Sequence, residues 1–305
     1  MHIHNNKKHM LFKRNFQFAT LAFAAVAAAP TMATEGGGSI YNHGAENFVI
    51  GAVPPPGTYF LLYGSHYRAD TLRDNNGDKL PVDFKVEASA IAPRVAWVSD
   101  MQFLGGQFAF HAIAPLVDVS IEAGPFSQSK SGLGDITFGP TLGYHVSQKF
   151  HYAVGLDITA PTGRYDKDDL ANIGRNYWNF QPVLSLTYMQ PQGFNADLKL
   201  MYDFNARNKD TDYRSGQELH ADYALGWGFG NGWTAGVAGY VYQQTTSDKQ
   251  GGNTVADNRG RAMSIGPSVK YDGGDWFMTV KYEEEFGVRN RAEGGGLKVK
   301  VALPF

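Results

Sequence analysis

The chain reads as an all-β protein, an antiparallel up-and-down transmembrane β-barrel of about twelve strands. Three observations predict this. Short segments alternate strictly between apolar and polar residues; connections between them alternate long and short; and no apolar run of 18 residues follows residue 33, so a membrane helix is not expected. Short turns then belong to the periplasmic side and long loops to the extracellular side.

Residues 1–33 read as a signal peptide rather than as part of the fold. Lys7, Lys8, Lys13 and Arg14 form a positive start, Phe16 to Ala29 is an alanine-rich apolar stretch, and Thr31-Met32-Ala33 supplies small residues for cleavage after Ala33. His2, His4 and His9 fall in this segment and are not taken as metal ligands. Residues 34–57 do not alternate; they contain Gly36-Gly37-Gly38 and Pro54-Pro55-Pro56-Gly57. Such backbone cannot face lipid without leaving polar groups unsatisfied, so a periplasmic or lumen plug segment is expected. The barrel then occupies 58–305.

The last strand is the clearest. Leu297, Val299, Val301, Leu303 and Phe305 interleave with Lys298 and Lys300, and period two places the five apolar side chains on one face. An apolar strand closing on phenylalanine resembles the C-terminal signal read by the barrel assembly machinery, with Pro304 a departure from the commonest pattern. Comparable alternation covers 151–159, 178–188, 195–204, 218–227, 264–271 and 276–283. Less regular strands are expected near 58–69, 82–98, 106–121, 133–147 and 232–245. Tight turns fall at Asp272-Gly273-Gly274-Asp275, Gly230-Asn231-Gly232, Gln190-Pro191-Gln192-Gly193 and Ser147-Gln148-Lys149, with chemistry suited to sharp reversals. Long loops are expected at 70–81, 122–132, 161–176, 206–216 and 246–260, and a medium one at 288–295. Tyr59, Tyr152, Tyr177, Trp178, Tyr188, Tyr202, Trp227, Trp233, Tyr271, Trp276 and Tyr282 lie near strand ends, where aromatic girdles form.

Composition agrees. Charged residues are 18% of the 305, cysteine is absent and glycine numbers 36. An exported chain without disulfides fits. Four of the 27 basic residues lie in 1–33, leaving 23 against 29 acidic residues and a net charge of −6. That argues against nucleic acid as a partner; outer-membrane lipids and lipopolysaccharide, the assembly machinery and a small hydrophobic solute are the expected ones.

Gly132-Leu133-Gly134-Asp135-Ile136 with Gly139-Pro140, Ala160-Pro161-Thr162-Gly163-Arg164-Tyr165-Asp166, and Asn172-Ile173-Gly174-Arg175-Asn176-Tyr177-Trp178 resemble outer-membrane proteins linked to the meta-pathway of phenol degradation, also called SphA-like. Pro56-Gly57 followed by Tyr59 matches too. The resemblance spans nearly the whole mature chain and implies an outer-membrane barrel that moves hydrophobic or aromatic compounds.

No catalytic, nucleotide-binding or zinc-helix motif is present, and no cofactor or metal is expected. Asp166-Lys167-Asp168-Asp169 lacks the Gly and Glu of a calcium loop and reads as solvated. His145 and His151 fall by a periplasmic turn, away from where a lipid enzyme would work, so no enzyme is expected. The polar strand faces carry the functional expectation. Asp157, Asp197, Lys199, Glu218, His220, Asp222, Lys281, Glu283, Glu285, Lys298 and Lys300 are expected to face the lumen along a solute pathway, since lipid-facing charges cost up to a few kcal/mol. Lys85, Glu87 and Asp118 are assigned inward on the same ground, and Glu283 and Lys300 are read as partners across the last hairpin. A passive channel and a non-transport barrel both remain open.

Overall fold

The computed structural model describes residues 32–304. The expected signal sequence, apart from Met32 and Ala33, and the terminal Phe305 lie outside the described residues.

Twelve antiparallel strands close into one barrel: β1 (Gly57–Leu72), β2 (Phe84–Phe103), β3 (Gly106–Ile113 and Leu116–Ala123), β4 (Phe126–Leu133 and Ile136–His145), β5 (Phe150–Ala160), β6 (Asn179–Tyr188), β7 (Gln192–Asn205), β8 (Glu218–Phe229), β9 (Trp233–Gln244), β10 (Arg261–Asp272), β11 (Phe277–Arg289) and β12 (Ala292–Pro304). Each pairs with its sequence neighbours, and β1 closes the ring by pairing with both β2 and β12. Closure leaves no free strand edge in the part of the wall that crosses the bilayer, which a lipid environment requires. Leu62, Val95, Trp97, Phe110, Val154, Phe180, Leu225, Val241, Ile265 and Leu297 are exposed on the outer face, while alternate residues are buried inside. An apolar exterior around a polar interior is the inverse of a soluble protein and matches a membrane barrel.

Two connections depart from expectation. The region 122–132 is strand, reversing at Gly124-Pro125, and β11 joins β12 through Asn290-Arg291 alone. Gly124 at φ 57° and Asn290 at φ 52° supply the left-handed backbone of tight turns. Lys85, Glu87 and Asp118 also differ. Lys85 and Glu87 alternate in phase with exposed Ile91, Val95 and Trp97, and Asp118 pairs with Ser89 of that face, so all three point outward. The reason is length. A 20-residue strand extends roughly 66 Å, and about half of that crosses a bilayer. The outer part of β2–β4 therefore stands in water. There the polarity inverts, with Lys85, Glu87, Ser89, Asp118, Ser120 and Ser129 outside and Val86, Val117, Val119 and Ile121 inside.

β3 breaks at Ala114-Pro115 and β4 at Gly134-Asp135. The outer half of β4 pairs with β3 only, since β5 ends at Ala160. The loop 161–178 seats against its other edge: Gln128 Oε1 accepts from Ala171 N at 2.7 Å, and Lys130 pairs with Asp169. Asp135 fastens the joint by accepting from Gly163 N at 2.8 Å and Arg175 N at 2.7 Å. Gly163 and Gly174 meet so closely that a Cβ on Gly163 would lie 2.8 Å from the Gly174 Cα. The residues that carry the family resemblance thus build a wall-to-loop joint. Asp166, Asp168 and Asp169 are each engaged locally, Asp168 with Lys167 at 2.8 Å. Of the proposed girdle, Tyr271 packs between Trp233 and Trp276, but Tyr177 is buried and donates inward to Ser215. Tyr59 shares the inward face of Tyr63 and donates to Pro55 O.

Candidate functional site: the lumen and its threaded segment

Residues 33–56 thread the lumen from the loop end to the end where β1 begins. At the outer mouth Ala33 N donates to Asn290 O at 2.9 Å. Glu35 accepts from Tyr165 at 3.1 Å and from Asn208 at 2.9 Å, and so gathers two outer loops.

Midway down, Asp222 on β8 is fully buried and holds the segment at three points. It accepts from Tyr41 Oη at 2.6 Å, Gly44 N at 2.9 Å and Glu46 N at 3.0 Å. Gly44 has φ 69°, and a Cβ there would stand 2.5 Å from the Glu283 carboxylate. Only glycine supplies both the turn and the clearance.

Glu46 is the segment's charged anchor. It accepts from Lys300 Nζ at 2.9 Å and Tyr63 Oη at 3.0 Å, and lies 3.4 Å from Arg94 Nη1. Lysines of β11 and β12 also cap segment carbonyls. Lys281 donates to Glu46 O at 3.2 Å, Lys300 to Phe48 O at 3.1 Å and Lys298 to His43 O. Phe48 fills a niche over Ala224, Gly226 and Ala238. Farther down, Gly51 N donates to Thr187 Oγ1 at 2.8 Å and Ile50 N to Asp197 Oδ1 at 3.0 Å.

All eleven residues expected to face the lumen lie on the inner wall; ten are buried, and Glu285 is half-buried. They fall into five groups. Asp222, Asp197, Lys281, Lys298 and Lys300 hold the segment. Glu283 bridges Lys298 at 2.7 Å and Lys281 at 3.1 Å. Asp157 binds His111 at 3.0 Å and lies 3.7 Å from Lys199. Glu218 and His220 meet Asp203 higher in the barrel, while Glu285 takes Tyr67 at 2.9 Å and Gly294 N at 2.8 Å. The expected pair of Glu283 with Lys300 does not form. Glu283 stands opposite Gly296 and Lys300 opposite Thr279, and Lys300 turns to Glu46 instead. Sequence reasoning missed Glu46, Arg94 and His111. Arg94 and His111 sit in stretches apolar on both faces (Ala92-Pro93-Arg94-Val95-Ala96 and Phe110-His111-Ala112-Ile113), where alternation gives no signal.

Between the segment and the wall, a cavity of about 550 Å³ remains, lined from β1–β7, β11 and β12 and from the turn that carries Asp275 and Trp276. Its lining mixes Val49, Val53, Leu61 and Val183 with Tyr63, Arg94, His111 and Asp157. A volume of this size suits a small molecule, and a mostly apolar lining with a few placed polar groups is the usual composition of such a site. His145 and His151 lie away from it. They sit at the 145–151 hairpin with ring nitrogens 2.8 Å apart.

The family model described as "Putative MetA-pathway of phenol degradation" matches residues 69–301. Among solved structures, the COG4313 outer membrane channel from Pseudomonas putida F1 is similar at 20% identity, over 84% of this chain and 98% of that one, with a TM-score of 0.75. The translocator domain of the autotransporter NalP from Neisseria meningitidis is similar at 11% identity, over 83% and 90% of the two chains, with a TM-score of 0.46. No curated protein sequence matches the chain. The closed twelve-stranded barrel with its apolar exterior is an outer-membrane fold, and the outer membrane is where this chain resides.

Proposed function

This chain belongs to the putative MetA-pathway phenol-degradation family, and on that premise we propose that it is a passive outer-membrane channel for small hydrophobic or aromatic compounds. The observation that carries the reading is the 550 Å³ cavity, apolar for the most part and lodged between the wall and the threaded segment. Residues 34–57 act as the plug of this channel, and Asp222, Lys281, Lys298 and Lys300 are the wall groups that seat it. Asp157, Lys199 and His111 line the passage and give it polar contact points. The phenol-degradation pathway to which the family is linked points to the solute class, and the solved channel of like fold supports a barrel built to conduct. In this reading the barrel works as a conduit. Its other partners are lipopolysaccharide around the wall and the assembly machinery that reads its C-terminal strand.

Swelling of liposomes containing the purified barrel tests this with phenol-sized aromatics, sugars and amino acids. Faster uptake of the aromatics than of polar solutes of equal size supports the reading. Equal, background-level rates for every solute make it a non-transport barrel.

A further inference from the structure

One cluster in the lumen lies apart from the cavity and meets the segment only through the rings of Tyr41 and His43. Asp203 on β7 stands directly opposite Glu218 on β8, and His220 follows two residues on, on the same inner face. One ligand atom from each lies within 4.8 Å of the others. The three side chains are about 1% exposed. His220 Nε2 rests against Asp203 Oδ2 and lies 3.4 Å from Glu218 Oε2. None of these three atoms has a hydrogen-bond partner, an uncommon state for buried polar groups.

The outward-turned atoms of the same three side chains are all fixed. Asp203 Oδ1 accepts from Gln181 Nε2 at 2.7 Å, and Glu218 Oε1 from Asn205 Nδ2 at 3.1 Å. His220 Nδ1 lies 2.9 Å from Nδ1 of His43, whose ring stacks on it. Each side chain is therefore oriented by an outer partner while its inner atom points at a common centre. That is how metal ligands are held: outer hydrogen-bond partners fix the ring and the carboxylates so that the remaining atoms converge. The charge balance points the same way. Two carboxylates lie buried together; among the described residues their one ion-pair partner is His220, a cation only when protonated, and no lysine or arginine pairs with either. An isolated buried charge is costly unless a cation meets it. One imidazole nitrogen with two carboxylate oxygens suits a borderline ion such as zinc; calcium and magnesium favour all-oxygen sets.

We propose that Asp203, Glu218 and His220 form a binding site for one divalent transition-metal ion, zinc by chemistry, in the outer half of the lumen. With Nε2 on the metal, the proton of His220 sits on Nδ1 and is donated to His43, so the metal fixes the ring that the threaded segment stacks on. The site does not depend on the channel reading.

Protein extracted from outer membranes into detergent is stripped with a chelator and titrated with zinc by calorimetry, with metal content read by mass spectrometry. One zinc per chain is expected. Asp203→Asn and Glu218→Gln keep the size of each side chain and should abolish stoichiometric binding. Gln181→Ala, which frees an outer oxygen, should weaken it about 10–100-fold. Replacing His145 and His151 together with alanine should change nothing. Folding of each variant is read from its heat-modifiable gel band. X-ray absorption at the zinc edge of the wild type gives a second readout that needs no variant, with one imidazole and oxygen neighbours expected. Failure to bind zinc, retention of it in both carboxylate variants, or its loss with His145 and His151 overturns the proposal. A wild type that binds no metal would instead make the cluster an imidazolium held between two carboxylates.

Discussion

Glu46 is where a single substitution should unseat the threaded segment. Its carboxylate meets Lys300 at 2.9 Å, Tyr63 at 3.0 Å and Arg94 at 3.4 Å, in a place 6% exposed. Glu46→Ala leaves Lys300 and Arg94 as neighbouring cations with no shared counter-charge. Breaking one side of a buried ion pair costs about 3–5 kcal/mol. When the segment leaves, water enters and solvates the lysine and arginine, so the penalty falls on the seated state and not on the released one. Taking about 3 kcal/mol, the lower end of that range, shifts the balance toward release by roughly 150-fold. Glu46→Gln should shift it less, because the amide oxygen still accepts from Tyr63. Changing Glu46 and Lys300 together to glutamine should restore part of the seating, since one of the stranded cations is then removed. The assay is single-channel conductance in planar bilayers, where release appears as longer or larger openings. If Glu46→Ala gives the wild-type trace while the protein is folded, the segment is not held by this anchor and the plug reading fails.

Three further outcomes follow from the same geometry. Val301 lies on the outer face of β12 and Glu283 between two lysines inside, so Val301→Arg should cost about 2–4 kcal/mol near the midplane and reduce folding in vesicles, while Glu283→Gln should fold and open more readily; the reverse result would mean that the register is off by one residue. Gly163→Ala should push the loop 161–178 off β4, seen as new protease cleavage in that loop on intact cells, with no cleavage counting against the joint. Deleting Phe305 should lower the folded protein in the membrane and let unfolded chain build up in the periplasm; normal assembly would make its terminal position incidental.

The barrel was legible because lipid and water sort side chains with period two. Leu297, Val299 and Val301 against Lys298 and Lys300 announce one lipid face and one inner face before any partner strand is known. That logic fails at both ends of the bilayer. Lys85, Glu87 and Asp118 were assigned inward by a cost that applies only within hydrocarbon, and the outer parts of β2 and β3 stand above it. It also fails to say which inner groups meet. Glu283 and Lys300 share a face and a hairpin, but register sets Glu283 beside Lys298, and the threaded segment brings Glu46 to Lys300.

The deeper gap concerns residues 34–57, whose composition said only that they avoid lipid. Their backbone donors and carbonyls need partners, and the wall supplies them: Asp222 for Gly44 and Glu46, Asp197 for Ile50, and lysines for the carbonyls of His43, Glu46 and Phe48. Five of the eleven groups counted from the sequence as a solute pathway, Asp197, Asp222, Lys281, Lys298 and Lys300, are thus partners for a strip of irregular chain. The cluster of Asp203, Glu218 and His220 was hidden for a related reason. Its ligands are joined across two strands, two of them only two residues apart, and no helical or loop spacing records that; the sequence signal is an acid, one residue, then a histidine on a strand, with an acid facing them from the neighbour.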